Sequence, residues 1–344
     1  MPSLTLPAPR TPDPREAPSL RWGILAPGGI ARSFATALRA GTGQQLQAVA
    51  SRSVDRARAF ADEFAVTAAY GSYEELVADP DVDVVYVASP HSEHRAHALL
   101  ATGAGKPVLV EKAFARSANE ARDIIESAAA AGVFAMEAMW TRFLPHIDVV
   151  RQCLETGLLG EVHTVHADHG QRLYPNGPAR LSEPSLAGGA LLDLGVYPVS
   201  FAHFVLGDFA DVTASGTRTD KGVDAQAAIG VTSSSGAMGV LGTTMLTKTP
   251  TTAVVCGTEA RLEIDGDFYA PEAVVRLITN DGTELDQFSN EDTTHGLHFE
   301  AAEVARQVTA GALESPLLPL AETLTIMDAL DDARAQVGVR YPGE

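Results

Sequence analysis

Arg21-Trp-Gly-Ile-Leu-Ala-Pro-Gly-Gly-Ile-Ala31 decides how the rest of the chain is read. Arg21 to Ala26 is a strand-like run and Pro27-Gly28-Gly29 is a turn. Ile30 to Ala40 then carries Ile30, Phe34, Ala37 and Leu38 at helical spacing. A strand, a glycine turn and a helix in that order bring backbone N–H groups and a helix N-terminus to one point, where a phosphate is favoured. Gly28 and Ala31 match the second and third positions of G-x-G-x-x-G/A, while Ala26 stands at the first. Gly28, Gly29 and Ile30 are therefore candidates for holding a dinucleotide. The alternative is a tight turn with no ligand.

Outward from this turn, Leu46–Ser51 reads as a second strand and Val54–Phe64 as a second helix. Ser72 with Glu75 forms a capping-box pattern opening a short helix. Val82–Ala88 is almost wholly apolar, as expected of a strand covered on both faces. A helix over His91–Thr102 stops at Gly103; a strand over Pro107–Val110, a helix over Ser117–Ala131 and a strand over Val133–Ala135 follow. This alternation predicts an α/β domain: a parallel sheet with helices on both faces, doubly wound. Beyond it, strands are expected at 162–168, 212–218, 225–232, 237–245, 253–256, 260–264, 274–278 and 284–288. Helices are expected only around 191–206, 299–310 and 319–336. That half reads as an α+β domain with a large, mostly antiparallel sheet. The division expected is a mobile Pro-rich tail at 1–19, a first domain at 20–140 and a second at 141–344.

Composition agrees with two domains, since 344 residues at roughly 150 per domain give about two. With 45% hydrophobic residues the chain can bury a core, which excludes a disordered protein, and no apolar run is expected to span a membrane. A net charge of −19 argues against a nucleic-acid partner. Met1 to Ser19 holds six prolines and no apolar core, so it is not read as a secretory signal. Cys153 and Cys256 cannot build a disulfide framework or a four-thiolate zinc site; they read as small buried hydrophobes and fit a reducing cytoplasm. His163, His166 and His169 alternate sides of a strand, and His91 and His94 are better placed beside a cofactor than around a metal. No metal centre is expected.

The tip of the second strand bears on the cofactor. An NAD site usually carries Asp or Glu there, to accept from the ribose hydroxyls. This chain has Ser51-Arg52-Ser53, with Arg56 one turn on. Two guanidiniums can pair with a 2′-phosphate, and the serines can donate to it. The reading is NADP(H), with Asp55 keeping NAD(H) open. Val108-Leu-Val-Glu-Lys112 is an apolar strand ending in Glu111 and Lys112, where open α/β sheets place ligands. A lysine there can hydrogen-bond a substrate hydroxyl or favour a neighbouring acid's ionised form. It can equally be a surface residue. In Gly188-Gly-Ala-Leu-Leu-Asp193-Leu-Gly-Val-Tyr197, Asp193 and Tyr197 are four apart and share a helix face. A tyrosine, with an ordinary pKa of about 10, needs a nearby cation to act as a base near neutrality, and Lys112 could supply it. The alternative is a packing tyrosine and a capping aspartate.

Together, the Gly28 turn, Ser89-Pro-His-Ser-Glu-His94, Gly105-Lys-Pro-Val-Leu-Val-Glu-Lys112 and Asp193-Leu-Gly-Val-Tyr197 resemble the Gfo/Idh/MocA oxidoreductases. Met136-Glu-Ala-Met-Trp-Thr-Arg-Phe-Leu-Pro145 and Gly188–Tyr197 are similar to the branch containing dimeric trans-dihydrodiol dehydrogenases and NADP-dependent xylose dehydrogenases. The resemblance implies a Rossmann domain, a C-terminal sheet domain that often forms the dimer contact, and hydride transfer between NAD(P) and a sugar-like or cyclic hydroxyl or carbonyl. It implies Lys112, Asp193 and Tyr197 as catalytic residues that also contact substrate. Ser89, Pro90, His94, Glu111, Trp140 and Arg142 join the cofactor side, with Trp140 also against substrate. A homodimer or dimer of dimers would follow. Ala113 replaces the family's proline after Glu-Lys, so a trans Lys112–Ala113 bond is expected. Two other readings stay open: a catalytically silent NADP-sensing regulator on the same fold, and an inositol-type dehydrogenase.

Overall fold

The computed structural model describes residues 5–291 and 293–343. They form two compact units that are not contiguous in sequence. One takes Pro12–Trp140 and His295–Leu324; the other takes Thr141–Thr294, the chain from Thr325 onward, and the described residues up to Thr11.

In the first unit, β1 (Arg21–Leu25), α1 (Gly29–Gly41), β2 (Gln45–Ala50), α2 (Val54–Phe64), β3 (Ala68–Tyr70), α3 (Tyr73–Val77), β4 (Val84–Val87), α4 (His94–Gly103), β5 (Val108–Glu111), α5 (Ala118–Ala131) and β6 (Ala135–Ala138) alternate. Their parallel sheet has the order β3-β2-β1-β4-β5-β6. The chain doubles back at β1, so the crevice beside β1 and β4 is where such a sheet receives a ligand. Every residue of β4, β5 and β6 is buried, which explains why they are apolar apart from Glu111 and Glu137. Ser72 caps α3 with the expected reciprocal pair, its hydroxyl accepting from Glu75 N–H.

The second unit contains α6 (Pro145–Glu155), β7 (Val162–Gly170), α7 (Val196–Leu206), β8 (Phe209–Arg218), β9 (Asp224–Ser233), β10 (Met238–Thr244), β11 (Ala253–Gly257), β12 (Ala260–Asp265), β13 (Val274–Thr279) and β14 (Glu284–Ser289). The eight strands order as β14-β13-β12-β11-β7-β10-β9-β8, antiparallel except for the β7–β10 pair. A π-helical turn, Leu191–Gly195, leads into α7. The stretch Pro184–Leu206 is long and apolar enough to cross a bilayer, but most of it is buried inside the protein. Its apolarity is that of a core element.

Two expectations about boundaries change. Residues 295–324 belong to the first unit: α8 (Leu297–Thr309) lies against α1, and Leu313 O accepts from Ala135 N–H at 3.0 Å. The last helix, α9 (Leu320–Val337), crosses the division. The Pro-rich segment is not a loose tail over residues 5–19, although its first four positions fall outside the described residues. Leu6 N–H donates to Asp286 at 2.9 Å, and Arg10 bonds both Asp148 and Glu155 at 2.9 Å. Further on, Ala17 packs on Ala302 and Ala305 of α8. Fixed-φ prolines leave the extended chain little entropy to lose, so a few such contacts hold it.

Gly41 ends α1 where a Cβ would come within 2.7 Å of the His298 ring on α8. Gly41→Val should therefore force α8 away from α1 and cost about 1–3 kcal/mol, read as a lower thermal midpoint. An unchanged midpoint would place α8 elsewhere.

Candidate functional site

Because the six strands are parallel, their carboxyl ends share one edge. That edge gathers the turn after β1, Ser51–Ser53 after β2, Ser89-Pro90 after β4, Lys112 after β5 and Trp140 after β6. Ala26 sits at φ +66°, the left-handed conformation that usually selects glycine, and its carbonyl accepts Gly28 N–H at 2.7 Å. Gly28 begins α1 with no side-chain cap, and no acidic residue occupies the first turn. A Cβ on Gly29 would meet nothing within 4 Å, so the amides of this turn open onto free space. Apart from that of Gly28, they are the first-turn donors of a positive helix end. Ile30, 38% exposed, is the side chain beside them.

At the tip of β2, the buried Ser51 Oγ accepts from Ser53 N–H at 3.3 Å. Arg52 and Arg56 are exposed and form no ion pair with the described residues. Both act electrostatically on Tyr73. The open helix end and the two unpaired guanidiniums fit a dinucleotide that carries an extra phosphate on its ribose.

The Lys112–Ala113 peptide is cis, against the trans bond expected from sequence. The carbonyls on either side are held in place. His91 Nε2 lies 3.3 Å from Lys112 O, and His94 Nδ1 lies 2.9 Å from Ala113 O while its Nε2 lies 2.8 Å from Ser89 O. His94 thus braces the loop after β4 against the loop after β5. Burial lowers its pKa to about 4 against the pull of these carbonyls, so near pH 7 the neutral ring donates to one of the two and only packs against the other. Its ring nitrogens therefore face backbone carbonyls of the two loops, at the sheet edge where sequence places it beside a cofactor.

For Glu111 the sequence assignment is corrected. Alternation along β5 turns its side chain into the core, where it accepts from the Tyr86 hydroxyl. Glu137 on β6 accepts from Phe114 N–H at 3.1 Å and from Thr323 Oγ1 at 3.2 Å. Glu300 of α8 is fully buried and neither carboxyl oxygen has a hydrogen-bond partner among the described residues. Burial first, then the Glu111 and Glu137 charges, hold its pKa well above the usual carboxylate range.

In the second unit, Asp193 lies in the π-helical turn and accepts from Arg180 Nη1 at 2.9 Å. Tyr197, one turn on in α7, is 7% exposed. Its ring centroid is 5.1 Å from that of His169 and 4.6 Å from that of Tyr269. Gln171 Nε2 lies 2.9 Å from His169 Nε2 and donates to Tyr269 Oη at 3.2 Å. Sequence reading missed His169 and Tyr269 as neighbours of Tyr197; nothing in their spacing signals it. Arg142, expected beside the cofactor, is 4% exposed, with its guanidinium 4.7 Å over the Phe204 ring and Nη1 3.5 Å from Ser200 O. It packs the base of α7, because a buried guanidinium needs an aromatic face and carbonyls. Trp140 is half-buried just past β6.

The first unit thus presents a helix end open to phosphate at the edge of a parallel sheet, and the second carries a phenol, a carboxylate and a cluster of aromatic rings. Residues 20–139 match the family model for an oxidoreductase family with NAD-binding Rossmann fold, and residues 147–263 match the GFO/IDH/MocA C-terminal domain. The chain belongs to the Gfo/Idh/MocA family and is an NAD(P)-dependent dehydrogenase or reductase. Among its relatives, the trans-1,2-dihydrobenzene-1,2-diol dehydrogenase of Danio rerio is 37% identical over 94% of this chain and 98% of that protein. The protein of the same name from Bos taurus is 35% identical over the same shares. KijD10, a 3-ketoreductase from Actinomadura kijaniata solved with NADP and TDP-benzene, superposes with a TM-score of 0.81 at 28% identity, over 92% of this chain and 98% of that one. The aldose-aldose oxidoreductase from Caulobacter crescentus shares the fold, with a TM-score of 0.83 at 23% identity over 93% and 97% of the chains.

If His94 is a neutral strut, its ring resonances should not titrate between pH 8 and 5 and should give an apparent pKa of about 4 by NMR. An ordinary histidine value near 6.5 would remove it from that role.

Proposed function

We propose that the chain is an NADP(H)-dependent dehydrogenase that oxidises a secondary hydroxyl of a cyclic trans-diol, and reduces the matching carbonyl in reverse. The observation that carries the substrate class is the cluster of His169, Tyr269 and Tyr197 rings in mutual contact. It sets mutually inclined aromatic faces beside a phenolic hydroxyl, which suits a ring bearing hydroxyls. The trans-dihydrodiol dehydrogenase relatives support the same class.

Gly28, Gly29 and Ile30 would hold the pyrophosphate on the first-turn amides of α1, with Ser51, Ser53, Arg52 and Arg56 taking the ribose phosphate. Ser89, Pro90, Lys112 and Trp140 stand on the same sheet edge. The bound nicotinamide supplies the hydride acceptor or donor. Oxidation removes a hydride from the carbinol carbon and a proton from its hydroxyl, and Tyr197 takes that proton. Asp193, fixed by Arg180, orients the hydroxyl, and Lys112, at the carboxyl end of β5, stands on the cofactor side of the reaction. The exposed faces of Met238 and Val240 on β10, 53% and 54% accessible, favour a second copy packed on the open sheet and hence a homodimer.

The test is NADP+ reduction against trans-dihydrodiols, with aldoses and inositols alongside. Turnover on the diols supports this reading. NADPH binding without turnover on any class would favour the sensor. Tyr197→Phe should lower kcat by about 10²- to 10⁴-fold, and Lys112→Met should depress turnover more than NADPH binding. Arg52→Glu should weaken NADPH by about 10- to 100-fold and leave NADH nearly unchanged. Equal loss for both nucleotides would place the ribose phosphate elsewhere.

A further inference from the structure

Asp224, the first residue of β9, is fully buried although the proposed chemistry gives it no part. Its Oδ2 accepts Leu191 N–H at 2.5 Å. The amides of Ala190 and of Asp224 itself also stabilise its ionised form. Leu191 opens the turn that carries Asp193 and leads to Tyr197, and no side chain within the turn caps it. A carboxylate from another strand therefore fills the place of the missing cap.

The paired glycines of the sequence now have separate reasons. Gly189 sits at φ +129°, which a side chain rarely adopts, and a Cβ there would collide with Asp224 Oδ1. At Gly188 a Cβ would fall 2.6 Å from the carbonyls of Arg180 and Leu181. The same turn is gripped from behind. Tyr341 Oη donates to Gly188 O at 3.2 Å, and the Arg334 guanidinium lies 4.6 Å over the Tyr341 ring. Thr243 of β10 bonds Ala190 O at 3.4 Å.

We infer that Asp224 is a positioning residue for the reaction: it fastens the Leu191–Gly195 turn and so sets the placement of Asp193 and Tyr197. This rests on the catalytic reading of those two residues. Burial raises the Asp224 pKa to about 6, against the pull of its three amides and of Arg334. The other charged groups on the elements packed against it are Asp331 of α9, paired with Arg334 at 2.9 Å, Asp193, paired with Arg180, and Arg218 of β8, opposite it in the ladder; Asp211 stands at the far end of β8 and β10 carries none. As pH falls through about 6, Asp224 takes up a proton, becomes a poorer acceptor and loosens its hold on Leu191. Turnover should then fall on the acid side with an inflection at that value.

The experiment compares wild type with Asp224→Asn, Gly189→Ala and Ile229→Val. Ile229→Val is a control that trims the core of the same strand. Asp224→Asn is expected to lower kcat by about 10- to 100-fold, to leave the NADPH dissociation constant unchanged, and to abolish the acid inflection. Gly189→Ala, which displaces the carboxyl, should reproduce the loss of kcat. Ile229→Val should lose stability and keep kcat and the pH profile. Wild-type kcat and an intact inflection in Asp224→Asn would overturn the proposal, as would equal losses in the control. If Asp224→Asn does not fold, Gly189→Ala and the wild-type pH profile decide the matter. Amide hydrogen exchange at Ala190 and Leu191 gives a readout independent of chemistry. Faster exchange in the variants with no turnover by any form of the protein would retain the anchor and reject the dehydrogenase reading; unchanged exchange would reject the anchor itself.

Discussion

Tyr86 is the residue through which the first unit is assembled. It is fully buried on β4, its ring stacked 4.0 Å from Phe34 of α1, which in turn meets Trp22 of β1 at 5.2 Å. These contacts set α1 down over the centre of the sheet and so aim its amino end at the crevice. A buried phenol also needs a partner for its hydroxyl, and Tyr86 finds it in Glu111. One side chain thus links the helix that receives the pyrophosphate to the residue preceding Lys112. The loop after Lys112 is fixed from the other side by His94 and Glu137. Lys112 thus lies between loops that buried side chains hold on both sides.

Alternating period-2 and period-3.6 patterns made most elements legible. The parallel sheet, the eight later strands and α7 stand close to where hydrophobic spacing places them, because burial on two faces or one leaves a direct imprint on sequence. Two elements escaped. β3 is three residues long and all half-buried, so it carries no period, and α6 opens on Pro145 straight after a turn, where a proline reads as a break rather than a helix start. The tie of 295–324 to the first unit was invisible because nothing local records which sheet a late helix packs against.

Site residues divide along the same line. The glycine turn, the absence of a carboxylate at β2 and the Asp193–Tyr197 spacing are local facts, and sequence shows them. Ala26 illustrates how a missing glycine is survived: the backbone keeps the left-handed conformation and the alanine bears its cost. Glu111 and Arg142 were assigned outward and point inward, because motif membership does not reveal which way a side chain leaves the backbone. His169, Tyr269 and Asp224 became legible only through tertiary neighbours; Asp224 stands 33 residues from the amide it holds.

Glu300 has a consequence for folding itself. The unfolded chain carries this carboxyl ionised at neutral pH, since an ordinary glutamate titrates near 4.5. The native core, lacking a partner for it beside two other glutamates, favours the neutral acid. Between its unfolded and its raised native pKa, folding must then draw a proton from the solvent. Calorimetric unfolding will accordingly return that proton to the buffer, and the apparent enthalpy will vary with the buffer's own heat of ionisation. The same linkage makes this group's contribution decline as pH rises from the ordinary glutamate range toward its elevated native value, so alkali rather than acid strains this part of the core.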